Sequence, residues 1–301
     1  MPDILEPILL PGNFNYIAAF LTFSCMLKCG YCINHHGRDL VRRRTMSADD
    51  WVRGLNRLVP RADLPITLQG GEPTLHKNFY DIVSGINAQH PLDLLTNLEI
   101  DPDEFMRRIA PDRIKRTSPY ASIRVSYHKD QQDAPVLFKK VRYLLDRGYS
   151  LGVWVVDHPQ FRDHTMTIKK MAEDMGIDFR LKEFLGSYQG ENFGTMRYPE
   201  AVNAPQLRHS DCRTTEFLID PAGFIFRCHS DLYANRFPIG HILEKDSPKL
   251  LGQWVPCSVF GKCNPCDIKV KFNRFQEHGH SSVEICNISG PYAPNKELVS
   301  S

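Results

Sequence analysis

The stretch FSCMLKCGYC places Cys25, Cys29 and Cys32 in the spacing C-x3-C-x2-C. Thiolates are soft ligands that suit zinc and iron–sulfur clusters. Three thiols are one short of a closed four-thiolate site and one too many for a single disulfide. On a four-iron cluster they leave one iron without a protein ligand, and an open coordination position is what a catalytic metal needs. The bland alternative is a zinc ion completed by His35 or His36. A second cysteine group comprises Cys212, Cys228, Cys257, Cys263, Cys266 and Cys286. Its first pair brackets a glycine as C-x10-G-x4-C, through Gly223, and Cys257, Cys263 and Cys266 follow as C-x5-C-x2-C.

The chain as a whole narrows the chemistry. It has 301 residues, 42% of them hydrophobic and 24% charged, which suits one large α/β domain, alone or with a smaller appendage. A net charge of +2 gives no general attraction to nucleic acid or anionic membrane, and no basic stripe interleaved with aromatics is visible. The run Arg42-Arg43-Arg44 reads as a solvated face or loop, with a phosphate or carboxylate contact as the alternative. YIAAFLTF is too short for a membrane span and reads as a buried strand. The N-terminal MPDILEPILLPGNFN carries acids and no basic leader, so a cytoplasmic protein is expected. Cytoplasmic thiols are kept reduced, so nine cysteines point to metal or redox chemistry rather than a disulfide framework.

The elements that must position these thiols recur at near-constant spacing. Short apolar runs predict strands at Ala18–Phe23, Pro65–Gln69, Leu92–Thr96, Ala121–Tyr127, Leu151–Val156 and Asp178–Phe184. Helical stripes lie between them. Ser47 and Asp50 have capping-box spacing ahead of Trp51, Leu55, Leu58 and Val59. Phe79, Ile82, Val83 and Ile86 form a second stripe; Leu137, Val141, Leu144 and Leu145 a third; Ile168, Met171, Ala172 and Met175 a fourth. Alternating βα units mean parallel strands with helical crossovers, in an open sheet or incomplete barrel, with chemistry at the C-terminal strand ends. Beyond residue 205 the pattern changes. EFLIDPAGFIFRC reads as a hairpin turning at Asp220-Pro221-Ala222-Gly223. Residues 206–301 read as a small metal-supported domain appended to a 1–205 barrel.

Cys25-x3-Cys29-x2-Cys32 with Tyr31 resembles the signature loop of radical S-adenosylmethionine enzymes. The resemblance spans about residues 15 to 185 and implies a partial (β/α)6 TIM-like barrel. LQGGEPTL after the second strand is similar to the family's Gly-Gly-Glu motif, where Gly70 and Gly71 would let backbone approach a ligand. Glu72 and that backbone would meet the methionine ammonium. Asn97 in LLTNL and Ser126 in IRVSYH resemble the polar cofactor contacts of the next strand ends, and Tyr31 would lie against adenine. The resemblance implies a [4Fe–4S] cluster on Cys25, Cys29 and Cys32, with S-adenosylmethionine chelating the open iron. One electron, from a donor such as flavodoxin or ferredoxin, breaks the C–S bond, and the resulting 5′-deoxyadenosyl radical abstracts hydrogen from an unactivated C–H bond.

The later cysteines resemble the opening half of twitch and SPASM extensions, which hold auxiliary clusters. Their second half departs from the full SPASM pattern, which favours one auxiliary [4Fe–4S] cluster on Cys212, Cys228, Cys263 and Cys266. A zinc ribbon on the same residues is the alternative. Cys257 and Cys286 are left over. Cys257 reads as a buried hydrophobe, a substitute ligand, or a thiol that returns hydrogen to a substrate radical as in an epimerase. The substrate expectation is a small polar molecule, sugar- or aminocyclitol-like, that is dehydrogenated or epimerised. Peptide maturation is the runner-up, and an iron–sulfur electron carrier or zinc-binding interaction protein the non-enzyme alternative. His128, His158, Arg180 and Lys182 lie near predicted strand ends without assigned roles.

Overall fold

The computed structural model describes residues 5–35, 44–271 and 280–289. His36, Arg42 and Arg43 lie outside the described residues, as does the His35 side chain. Six parallel strands follow one another in the main sheet: β1 (Tyr16–Thr22), β2 (Ile66–Gly70), β3 (Leu92–Thr96), β4 (Ile123–Tyr127), β5 (Leu151–Asp157) and β6 (Asp178–Glu183). Helices cross between them: α1 (Ala48–Asn56), α2 (Phe79–Gly85), α3 (Pro102–Arg108) with α4 (Pro111–Ile114), α5 (Ala134–Leu145) and α6 (Arg162–Asp174). This is the partial α/β barrel that the family resemblance implies and one of the two forms that the alternating pattern allows.

The local signals act as their chemistry requires. Ser47 caps α1 by accepting the Asp50 N–H at 3.1 Å, and its hydroxyl donates back to Asp50 Oδ2 at 2.8 Å. Asp101 and Asp133 cap α3 and α5 in the same way. The inward faces bury Trp51 and Leu55 of α1, Ile82 and Val83 of α2, and Leu137, Val141 and Leu144 of α5. Each such side chain contributes about 1.5–3 kcal/mol by leaving water. The predicted α1 stripe runs too far. The helix ends at Asn56, and Leu58–Val59 is a short strand beside Ile8–Leu9, with Val59 47% exposed. The cause is Arg57, whose guanidinium donates to the Ile242 carbonyl at 2.9 Å and to the carbonyls of Glu6 and Glu244. That anchor turns the chain out of the helix.

The C-terminal segment holds β7 (Arg208–Thr214), β8 (Glu216–Ile219), β9 (Phe224–Phe226), α7 (His229–Ala234), β10 (Gly240–His241), β11 (Val255–Phe260), α8 (Pro265–Ile268) and β12 (Val283–Cys286). The predicted hairpin is present as β8–β9. Asp220 Oδ1 accepts the N–H groups of Ala222 and Phe224, and Gly223 takes φ +93°, which few residues but glycine adopt easily. A division at residue 205 does not separate two sheets, however. β8 lies parallel to β1, with Glu216 opposite Tyr16 and Ile219 opposite Ala19, so the main sheet runs β10-β9-β8-β1-β2-β3-β4-β5-β6. What stands apart is a three-stranded antiparallel sheet, β11-β7-β12, over a small core that includes Tyr198, Phe260, Ile268 and Ile285.

Candidate active site and cysteine cavity

The C-terminal ends of β1 to β6 open into one cleft of about 1340 Å³, including its mouth. Cys25, Cys29, Tyr31 and Cys32 arrive from the loop after β1, Gly70, Gly71 and Glu72 from β2, Asn97 from β3, and Ser126 and His128 from β4. All nine of the predicted rim residues therefore line one space. Even with its mouth discounted, a space of this size has room for a ligand.

The two glycines serve loop packing first. A Cβ on Gly71 would lie 2.3 Å from the Ser24 carbonyl oxygen, and one on Gly70 would lie 2.1 Å from that of Thr22. Gly71 N–H donates to Thr22 O and Glu72 N–H to Ser24 O, both at 2.8 Å. The close approach expected toward a ligand is thus made toward the cysteine loop, which these bonds hold against the end of β2.

Glu72 is turned inward and is 1% exposed. Its Oε1 accepts from Thr74 N–H, Thr74 hydroxyl and Thr96 hydroxyl, and its Oε2 accepts the Asn97 N–H at 2.7 Å. Burial raises its pKa against those bonds. The carboxylate therefore braces the next strand end, and Oε2, with one hydrogen bond, keeps capacity for another donor. Asn97 in turn points Nδ2 at Met26 Sδ, 3.1 Å, and toward Cys25 Sγ, 3.8 Å. The following Leu98 takes φ +58° while fully buried, a strained turn that aims Asn97 into the cleft. Tyr31 hydroxyl lies 3.1 Å from His128 Nδ1, and its ring sits 5.5 Å from that of His158. Burial, then Lys182, pushes His128 down to about 4.

The three rim thiols suit a metal cluster by their own electrostatics. Burial pushes Cys29 up to about 12, and Cys32 and Cys25 add to the shift. Three thiolates so placed repel one another until a cation neutralises them.

The C-terminal cysteines divide differently from the sequence expectation. Cys212, Cys228, Cys257 and Cys263 line a second, much tighter cavity under β7 and β11, with room for about 20 Å³ of solvent. Ser210 pairs with Cys257 across these strands, and Cys212 shares a hydrogen bond with Cys257 that, with burial, raises it above the ordinary thiol range. Burial raises Cys228 and Cys263 too. Cys266 is absent from this group. It sits in the first turn of α8, past Asn264 and Pro265, and lines the barrel cleft with Lys182 and Lys269. Cys257 does not reach the barrel. Cys286 lies on β12 opposite Asp211. None of the nine cysteines forms a disulfide.

Between the cavities runs a buried polar wall that sequence reasoning missed. His229 Nδ1 meets Asp267 Oδ1 at 2.9 Å, Asp267 Oδ2 accepts Ser230 N–H, and Glu216 Oε1 accepts Lys271 Nζ at 2.6 Å. Its members come from three separated segments, so no local spacing announces it. The cysteine loop is tied to the same region. Asn34 Oδ1 accepts the Tyr233 hydroxyl of α7, Asn34 Nδ2 donates to Gly70 O, and Asn264 Nδ2 donates to Ile33 O.

Parts of this chain are similar to known proteins. Residues 20–119 match the Radical SAM superfamily. The GTP 3′,8-cyclase of Clostridium perfringens is 21% identical over 189 residues, covering 60% of this chain and 58% of that protein. The molybdenum cofactor biosynthesis protein moc-5 of Caenorhabditis elegans is 26% identical over 216 residues, covering 65% of this chain and 34% of that protein. The matches thus span under two thirds of these relatives' own length. The solved structure of native anSMEcpe with bound AdoMet and Cp18Cys peptide superposes with a TM-score of 0.52 at 14% identity, covering 79% of this chain and 78% of that chain. At that identity the likeness is one of fold. No helix among the described residues is long and apolar enough to cross a membrane.

Proposed function

We propose, from the match of residues 20–119 to the Radical SAM superfamily, that the barrel cleft binds S-adenosylmethionine beside a [4Fe–4S] cluster and abstracts hydrogen from a small polar substrate. The observation that carries the reading is the convergence of Cys25, Cys29, Cys32, Gly70, Gly71, Asn97 and Ser126 on one cleft at the strand ends. When bound, the cluster and S-adenosylmethionine supply one-electron cleavage of the sulfonium C–S bond and a 5′-deoxyadenosyl radical that takes the hydrogen atom. A small reductant such as flavodoxin or ferredoxin provides the electron.

The chain's own residues hold and orient. Cys25, Cys29 and Cys32 would ligate the cluster, three thiolates for four irons. The Gly70–Gly71 backbone and Glu72 Oε2 receive the methionine ammonium, while Asn97 and Ser126 offer polar contacts to its carboxylate and the ribose. Tyr31, fixed by His128, walls the adenine side and keeps water from the cleft. Cys212, Cys228, Cys257 and Cys263 would hold an auxiliary cluster, closing it with four thiolates so that it could serve electron transfer or scaffolding. For the substrate, the outcome is dehydrogenation or epimerisation. The thiol within reach of a substrate radical is Cys266, since Cys257 faces the other cavity.

The test is anaerobic reconstitution followed by dithionite reduction with S-adenosylmethionine. The expected products are methionine and 5′-deoxyadenosine, with loss of both in a Cys29→Ala variant. Deuterated candidate substrates then locate the attacked C–H bond by deuterium transfer. A reconstituted protein that holds iron but releases no 5′-deoxyadenosine would sink the reading.

A further inference from the structure

We propose that Lys182 and Lys269 form an anion-binding pair inside the barrel that holds a carboxylate or phosphate group of the substrate below the cysteine loop. The inference rests on the reading that the substrate enters this cleft, and it narrows the substrate class. Lys182 projects from β6 and Lys269 from the end of α8. Both line the rim cleft with the three cysteines, and both line the chamber beneath it, whose walls include Tyr16, Asp93, Arg124 and Glu216. The two spaces therefore adjoin at this pair.

The other charges there have ionic partners, although Arg124 Nε and Glu216 Oε2 keep no hydrogen bond. Asp93 takes Arg116 at 2.6 Å and Arg124 at 3.1 Å, and Glu216 takes Lys271 at 2.6 Å. Glu72 is occupied by Thr74, Thr96 and Asn97, and Glu183 accepts from Thr195 N–H and hydroxyl. The half-buried ammonium groups of Lys182 and Lys269 meet no carboxylate and make no hydrogen bond to a described residue. Two uncompensated cations facing one cavity repel each other and lose hydration, a cost that a bound anion removes. The pressure registers on Lys182, which burial, Arg124 and Lys269 push down to about 7. A cationic aminocyclitol would add to this repulsion, so an acidic small molecule fits the chamber better.

The test uses the full chain with clusters reconstituted and S-adenosylmethionine present. Binding of inorganic phosphate and, separately, of succinate is followed by calorimetric titration. At least one anion is expected to bind saturably to the wild type, and which one does distinguishes phosphate from carboxylate. Lys182→Met and Lys269→Met each weaken it by about tenfold or more, while Lys139→Met on the exposed face of α5 does not. The melting temperature of the two cleft variants stays level or rises, because an uncompensated charge has gone. No saturable binding by the wild type, equal binding by both cleft variants, or loss of binding with a fall in melting temperature overturns the anion site. Release of 5′-deoxyadenosine is read on the same samples. Its absence with lysine-dependent anion binding intact defeats only the radical reading, and the converse defeats only the anion site.

Discussion

Glu72 Oε2 accepts the backbone N–H of Asn97 at 2.7 Å, which binds the end of β2 to the end of β3 at the mouth of the cleft. The same carboxylate takes the Thr96 hydroxyl at 2.8 Å. Removing it leaves a backbone donor and a hydroxyl unsatisfied in a buried setting. Glu72→Ala is expected to cost about 2–4 kcal/mol of stability and to weaken S-adenosylmethionine binding by about tenfold or more. Chemical denaturation and equilibrium binding of the cofactor measure the two effects. Iron content should hold, because Glu72 is not among the thiols.

The division of the C-terminal cysteines makes two variants diverge. Cys257→Ala should reduce iron from about eight to about four atoms per chain while leaving S-adenosylmethionine binding in place. Cys266→Ala should keep all of it. Iron and sulfide assay with electron paramagnetic resonance decides the point, and the opposite pattern would restore Cys266 to the ligand set and release Cys257.

Asp93 is 1% exposed and carries both Arg116 and Arg124. Asp93→Ala strands two guanidinium groups beside the lower chamber. A loss of about 3–5 kcal/mol is expected from breaking a buried ionic cluster on one side, read as a lower denaturation midpoint with an unchanged slope.

His128 should give the protein a pH signature. Its folded value is about 4, against 6.5 for an ordinary imidazole. Between those values the unfolded chain binds a proton that the native site refuses, so stability falls as pH drops through that window and is level above it. Melting temperatures of the wild type should fall between about pH 7.5 and about pH 5.5 more steeply than those of His128→Gln. Equal slopes would place the sensitivity elsewhere.

Much of the frame was legible because it rests on local rules. Leu92–Thr96 is a strand as predicted, and the other five barrel strands differ from expectation only at their ends. The rim motif was legible because cysteine spacing and a strand-end position are local too. Three features were not. The role of Gly70 and Gly71 depends on carbonyl oxygens of Thr22 and Ser24, which no spacing within GGEP reveals. The pair Cys263 and Cys266 looks like one ligand unit, yet Asn264 and Pro265 start α8 between them and send the two thiols into different cavities. Lys269 gains meaning only opposite Lys182, from an element read as a separate domain.

The pairing of β8 with β1 has a consequence for how the chain is made. The main-chain N–H and C=O groups along one side of Tyr16–Ala19 find partners only when Glu216–Ile219 arrives. During synthesis that edge emerges early and waits through most of translation, open to any strand that meets it. A fragment ending at residue 205 would keep the edge permanently. It should aggregate where the whole chain does not, which makes the C-terminal segment a guard for the nascent barrel as well as the bearer of its second set of thiols.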